Sequence, residues 1–343
     1  MQPVGYIGVN SVQKLRFTHK GSLFLYAAVV VLQVIFFGAQ HSFAASEAYP
    51  LNVSHMLGTT VLPREPERII TLGWSGEDAV LAFGKKPVAM TRYGSFPSGI
   101  FPWNEVKLAG EQPVLLSGDL NFEAIAALRP DLILGVYSGI DQIAYKRLSA
   151  IAPTIVYRSA PWGADWREQT EITGEALGQK AEAKQLITDT NIFLNKLGAQ
   201  SPELKGKTFV FGTYFAGGNS VVVYLPKDPR VQALSELGLQ PSVTVKALAH
   251  KNPEETSVSV SLEEIGTLDA EILIMWYGDG ARAAAEAQPL FQRLEAVKRG
   301  SYVALDDPVS VWSTSALSVL SIPYGFPQFV PRLAEAARAA EIK

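Results

Sequence analysis

The 343-residue chain has no cysteine. Disulfides, thiolate metal sites and cysteine nucleophiles are therefore excluded, as is a lipid-modified N-terminal cysteine. Histidine is sparse, at four residues. His55 and His250 lie beyond the export segment described below. Neither has an acidic or nucleophilic partner at a catalytic spacing, so both read as structural or exposed. There is no dense His/Asp/Glu cluster to bind a transition metal directly. No phosphate-cradling glycine loop occurs either: Gly212, Gly217 and Gly218 match no nucleotide fingerprint and read as turn residues. The run Gly73-Trp74-Ser75-Gly76 lacks the residue that a nucleophile elbow needs between serine and glycine. Catalysis is poorly provided for, and a non-enzyme is expected.

Acids are missing from residues 1–44, which carry Lys14, Arg16 and Lys20. An apolar run from Leu23 to Phe37 follows these cations, and then Ser42-Phe43-Ala44 places small residues where a signal peptidase needs them. The pattern predicts a secretory signal over 1–44, cut after Ala44. The run is shorter than the ~20 residues a membrane span needs. Removing three cations from 30 basic and 33 acidic residues takes the net charge from −3 to about −6. That mild acidity argues against nucleic acid or an anionic membrane as partner. Without a tether, such a protein is retained only between two membranes, so a periplasmic location and a monomer are expected.

What the chain does have is an internal echo. Asn121–Leu134 (NFEAIAALRPDLIL) reappears 140 residues later as Ser261–Ile274 (SLEEIGTLDAEILI). Each copy reads as an N-cap, a first-turn glutamate (Glu123 or Glu263), a short helix and a buried strand. A pair of similar α/β lobes accounts for two copies this far apart. The expected organisation is an N-terminal α/β lobe over 45–178, a connecting helix over 179–199 and a C-terminal α/β lobe over 200–343. Residues 50–62 suggest a hairpin. Short buried strands are expected at 68–72, 88–91, 131–135 and 154–157, then at 208–214, 220–225, 272–276 and 302–305. Alternation of strands with helices predicts parallel sheets. The positions Leu186, Thr190, Phe193, Leu194 and Leu197 form one face of the connecting helix.

Ligands of open α/β sheets bind at the C-terminal edge of the strands. The segments following strands here carry Trp74, Arg92, Tyr93 and Tyr137 in the first half. In the second half they carry Tyr214, Trp276, Tyr277 and Arg282, with Trp312 in a loop before the last helix. Flat rings supply contact area at low entropy cost and arginine supplies forked donors. A bulky anionic ligand that is partly aromatic or rich in amides is expected. Packing is the ordinary fate of any one of these rings; their recurrence on one edge is what points to a cleft.

Four segments carry a resemblance: Val53–Leu72 (VSHMLGTTVLPREPERIITL), the first repeat, Pro161–Leu177 (PWGADWREQTEITGEAL) and Ile322–Leu333 (IPYGFPQFVPRL). Together they resemble the ferric-siderophore-binding proteins of ABC importers, within the class III periplasmic binding proteins, whose two α/β lobes with parallel-rich central sheets are joined by a single long α-helix. The first two segments are shared with haem and cobalamin binders of the same class. The resemblance implies capture of an iron chelate and its delivery to an inner-membrane ABC permease with a cytoplasmic ATPase. Iron would be held by the siderophore alone, with no cofactor. One glutamate per lobe docks the permease, which by position implies Glu123 and Glu263. Hydroxamate binders place an arginine just before the first repeat helix, where this chain has Ser117-Gly118; Arg92 is the candidate to take over that contact. Trp312 falls where relatives line the pocket with tryptophan. Haem or cobalamin on the same fold, and a secreted hydrolase, are the alternatives.

Overall fold

The structure, a computed structural model, describes residues 48–278 and 280–341. The expected export segment lies outside the described residues. Among the described residues no helix is long and apolar enough to cross a membrane. The expected hairpin forms from β1 (Leu51–His55) and β2 (Gly58–Leu62), paired antiparallel.

The first sheet comprises β3 (Ile69–Thr71), β4 (Ala89–Thr91), β5 (Val114–Leu116), β6 (Leu132–Gly135) and β7 (Thr154–Val156). Its order is β5-β4-β3-β6-β7, with every pairing parallel. Ile69, Ile70, Leu132, Ile133 and Leu134 are fully buried, as expected of strands covered on both faces. Chain order reverses between β3 and β6, so the loops leaving them diverge and open a crevice. Gly73 is required there. At its φ of 88° a Cβ would lie 2.2 Å from the Tyr137 carbonyl oxygen. The close approach lets the Trp74 N–H donate to that oxygen at 2.9 Å.

The second sheet comprises β8 (Thr208–Tyr214), β9 (Ser220–Tyr224), β10 (Gln240–Pro241), β11 (Ser257–Ser261), β12 (Ile272–Trp276) and β13 (Tyr302–Leu305). Its path is β11-β9-β8-β12-β13, with β10 beside β8. The sheet is parallel-rich, as expected of the class, but β9 runs antiparallel to β8 and to β11, which the simple alternation of strands and helices did not anticipate. Only residues 215–219 join β8 to β9, far short of the ~12 residues a parallel crossover needs.

The sequence echo also ends differently in the two halves. In the first copy Asn121 Oδ1 accepts the Ala124 N–H at 2.9 Å and caps the helix Phe122–Ala127. In the second, Ser261 closes β11 and only a single 3-10 turn, Ile265–Thr267, follows. Gly266 and Thr267 are poorer helix formers than Ala126 and Ala127, and Ser261 is already paired with Ser220 across the sheet. Trp312 is likewise not in a loop. It lies in the helix Pro308–Ser315, capped by Asp307 and opened by Pro308.

The connecting helix spans Lys180–Gln200, about 32 Å at the α-helical rise. It is embedded and not a free spacer: Leu186 packs against both lobe cores, and Ile187, Phe193, Leu194 and Leu197 against the second. Further contacts fasten the lobes directly. Arg167 pairs with Glu236 at 2.9 Å, and Gln169 Nε2 donates to the Leu317 carbonyl at 3.2 Å. The Ser318 hydroxyl donates to Asp78, which lies on the N-lobe helix Gly76–Ala82.

Candidate functional site

At the C-terminal ends of β3, β4 and β5 there is a cavity of about 230 Å³. Trp74, Arg92 and Trp162 line it, with the segment Ser117–Asn121 along one side. Trp74 is the hub of its aromatic wall. Its ring centroid lies 5.2 Å from that of Trp162, 5.1 Å from Trp312 and 6.3 Å from Tyr137. Tyr93 meets Trp312 edge-on at 5.1 Å and stacks on Phe101 at 3.7 Å. Since Trp312 belongs to the second lobe, these rings join the two halves at one end of the cleft. Such edge-on and offset arrangements each contribute ~0.5–1.5 kcal/mol beyond the area they bury.

A separate aromatic and charged cluster forms on the second sheet, outside the cavity lining. Trp276 Nε1 donates to the Tyr224 hydroxyl at 2.8 Å, and the Arg230 guanidinium covers the Tyr224 ring at 3.6 Å. Arg230 is almost fully enclosed and forms a forked pair with Asp228, at 2.7 and 2.6 Å. Burial works against its charge, but the Asp228 carboxylate outweighs burial and holds the guanidinium above its ordinary range. Tyr137, on the first lobe, feels this pair. Burial pushes its hydroxyl up to about 12, with Arg230 pulling down and Asp228 and Tyr224 pushing up.

Of the residues expected at the site, Trp74, Arg92, Tyr137 and Trp312 come together, with Tyr93 behind Trp312. Trp276 lies apart from them, bonded to Tyr224 and edge-on to Phe215 in the second lobe. Tyr214 and Tyr277 do not join them. Both are buried in the outer core of the second lobe, with Val210, Leu273 and Met275. Tyr214 donates to the Gly218 carbonyl at 3.0 Å, and the Tyr277 hydroxyl pairs with that of Tyr302 at 2.6 Å. Strand parity explains the error: Trp276 and Tyr277 are adjacent, so their side chains leave opposite faces. Arg282 is committed to Glu286 at 2.7 Å and Asp306 at 3.0 Å. Sequence reasoning missed Trp162, Tyr224 and Arg230. Trp162 occupies a turn with φ 57°, where periodicity gives no signal.

Arg92 is exposed at the lip, and its side chain makes no hydrogen bond or ion pair among the described residues. Its backbone N–H donates to the Leu116 carbonyl at 2.7 Å, which brings it beside Ser117 and Gly118. Glu123 and Glu263 are both exposed. Glu123 is in the first turn of the helix Phe122–Ala127, whereas Glu263 is in the turn after β11. β11 runs parallel to β8, so this turn belongs to the same sheet edge as the ends of β8 and β12. His55 is remote from these groups. It bonds to Thr60 in the hairpin at 3.0 Å and packs edge-on to Tyr145. Among the described residues there is no group of three or more His, Cys, Asp or Glu side chains able to hold a metal ion.

Beneath the aromatic wall lie two fully buried acids, Glu77 and Asp78. Asp78 accepts from Trp103 Nε1 at 2.8 Å, Asn104 Nδ2 at 2.6 Å and the Ser318 hydroxyl. Burial pushes its carboxyl up to about 6, and those three donors pull the other way. Neither Glu77 oxygen has a hydrogen-bond partner, and burial, with Asp78 adding to it, pushes its carboxyl up to about 8. Burial thus raises both carboxyls, and Glu77, without the donors that surround Asp78, is raised further.

Comparison with known proteins agrees with this architecture. The chain is 31% identical over 280 residues to a probable siderophore-binding lipoprotein of Bacillus subtilis, YfiY, covering 77% of this chain and 82% of the relative. It is 25% identical over 272 residues to the ferric enterobactin-binding periplasmic protein FepB of Escherichia coli, covering 75% and 84%. Among solved structures, PiaA of Streptococcus pneumoniae in complex with ferrichrome superposes with a TM-score of 0.77 at 31% identity, over 85% of this chain and all of that one. The family model for periplasmic binding proteins matches residues 99–309, and the chain belongs to that family.

Proposed function

We infer that the protein is a periplasmic receptor that captures a ferric siderophore between its lobes and delivers it to an ABC permease. One observation carries this reading: a wall of tryptophan and tyrosine with an unpaired arginine at its lip, and no metal-ligand cluster among the described residues. Such a surface recognises the organic shell of a chelate and leaves the metal's coordination to the chelator. Iron is then cargo, and the protein needs no cofactor. The siderophore-binding relative and the ferrichrome-bound neighbour support the same reading.

Delivery uses Glu123 and Glu263, exposed at the cleft-side edges of the two sheets, as acidic pegs for basic pockets of the permease. Export follows from the segment 1–44, and the receptor acts as a monomer. Of the three candidate haem ligands, Tyr93, Tyr137 and His55, the histidine is held in the hairpin and is not among the residues lining the cavity. Titration by tryptophan fluorescence tests the reading. A ferric chelate should quench Trp74, Trp162 and Trp312, while the metal-free chelator at the same concentration should not. Equal quenching by both, or a Soret band on adding haem with no response to any ferric chelate, would overturn it.

A further inference from the structure

The charged side chains that line the cavity cancel. The lining of the cavity holds one cation, Arg92, and one anion, Asp119, both exposed. Neither side chain is paired among the described residues, so both are available to a ligand. In the second lobe, outside the cavity lining, Arg230 is matched by the buried Asp228. The remaining lining is aromatic, aliphatic or uncharged polar: Trp74, Trp162, Leu72, Leu116, Thr91 and Asn121 among others. A ligand entering here meets no surplus of positive charge.

Resting on the siderophore reading above, we propose that this cleft is specific for ferric chelates of no net charge or a single positive charge, with Asp119 as the residue that rejects polyanionic ones. Ferric iron bound by three hydroxamates, each a monoanion, is neutral. Bound by three catecholates, each a dianion, it is a trianion. Bringing a trianion against Trp74 and Trp162 strips water from charge that a lone guanidinium cannot compensate. Asp119 adds direct repulsion, which the low-dielectric aromatic wall strengthens. A neutral trishydroxamate incurs neither cost. Its apolar surface is matched by the rings, its carbonyl oxygens can accept from Arg92, and any backbone or hydroxyl donors it carries can reach Asp119. Negative design of this kind works by penalising the wrong partner.

The test uses the chain after export, titrated by tryptophan fluorescence with three probes: neutral ferrichrome, cationic ferrioxamine B and trianionic ferric enterobactin. Ferrichrome and ferrioxamine B should bind at least about a hundredfold more tightly than ferric enterobactin, given the size of charge-pair effects in partly desolvated sites. Asp119→Asn should shift the ratio of affinities about tenfold toward the trianion, and Asp119→Lys should shift it further. The shift should shrink as salt is raised, as an electrostatic effect must. Ferric enterobactin binding as tightly as ferrichrome, or a ratio unmoved in both Asp119 variants, would overturn the assignment and leave the siderophore reading standing. If none of the three probes binds, both fail together.

Discussion

The two lobes start from the same sequence unit and reach different local structures. In the first, Asn121–Leu134 forms a capped helix leading into a wholly parallel sheet. In the second, Ser261–Ile274 forms a strand end, a 3-10 turn and a strand of a mixed sheet. What survives in both is position: each copy leaves a glutamate exposed at the sheet edge facing the cleft. The comparison separates two demands on the repeat. Helix formation depends on the two alanines of the first copy, which Gly266 and Thr267 replace in the second. Placement of the acid depends only on which edge the segment leaves, and that is set by strand direction.

The largest test of this comparison removes both acids. The double variant Glu123→Ala, Glu263→Ala should abolish uptake of the iron chelate in cells while the affinity of the purified receptor stays the same. Either single variant should leave partial uptake if the two lobes contribute equivalent pegs. Unimpaired uptake in the double variant would mean that the shared edge position has no functional meaning.

The next test addresses what keeps the unlike lobes together. Asp78→Ala leaves the Trp103, Asn104 and Ser318 donors buried without an acceptor, which should cost ~3–5 kcal/mol in urea unfolding. Ser318→Ala severs only the bond between lobes and should cost about 1 kcal/mol. Similar costs for the two variants would show that the bond to the second lobe dominates the network.

Glu77 makes a third, pH-dependent test. Its folded-state pKa is raised from 4.5 to about 8, chiefly by burial, so between those values the folded chain holds a proton that the unfolded chain has released. Stability contributed by this group is full below the lower value and is lost as pH rises through the upper one. Glu77→Gln should flatten the fall in melting temperature across that window. A wild-type profile already flat there would show that Glu77 is charged in the folded state. The smallest effect expected is on the outer core: Tyr277→Phe should leave ligand affinity unchanged and cost about 1 kcal/mol of stability through the lost bond to Tyr302.

Much of the fold was legible because continuous apolar runs mark buried strands. β8, β12 and β13 have the bounds expected from sequence, and Gly84 and Gly238 end their helices in the left-handed conformation. The direction of β9 was not legible from its composition; it follows from the five residues before it. The helix carrying Trp312 was signalled by Asp307-Pro308, a cap followed by proline at the first helical position, which the aromatic content of the segment obscured. The site was half legible. Residues after strands were gathered by position alone, which does not distinguish the two faces of a strand: Trp276 bonds to Tyr224, whereas Tyr277 is buried in the outer core. Arg230 escaped notice because a helix N-terminus is an unfavourable place for a cation. Arg92 lines the same cavity as Ser117 and Gly118, from the neighbouring strand.

The central claim, that the cleft takes up iron inside an intact chelate and leaves its chemistry untouched, is tested most directly by native mass spectrometry of the exported chain mixed with ferrichrome. The expected result is a mass increase of one whole ferric complex per polypeptide, released unchanged on unfolding. Iron retained without its chelator, or a chelator altered on release, would contradict it.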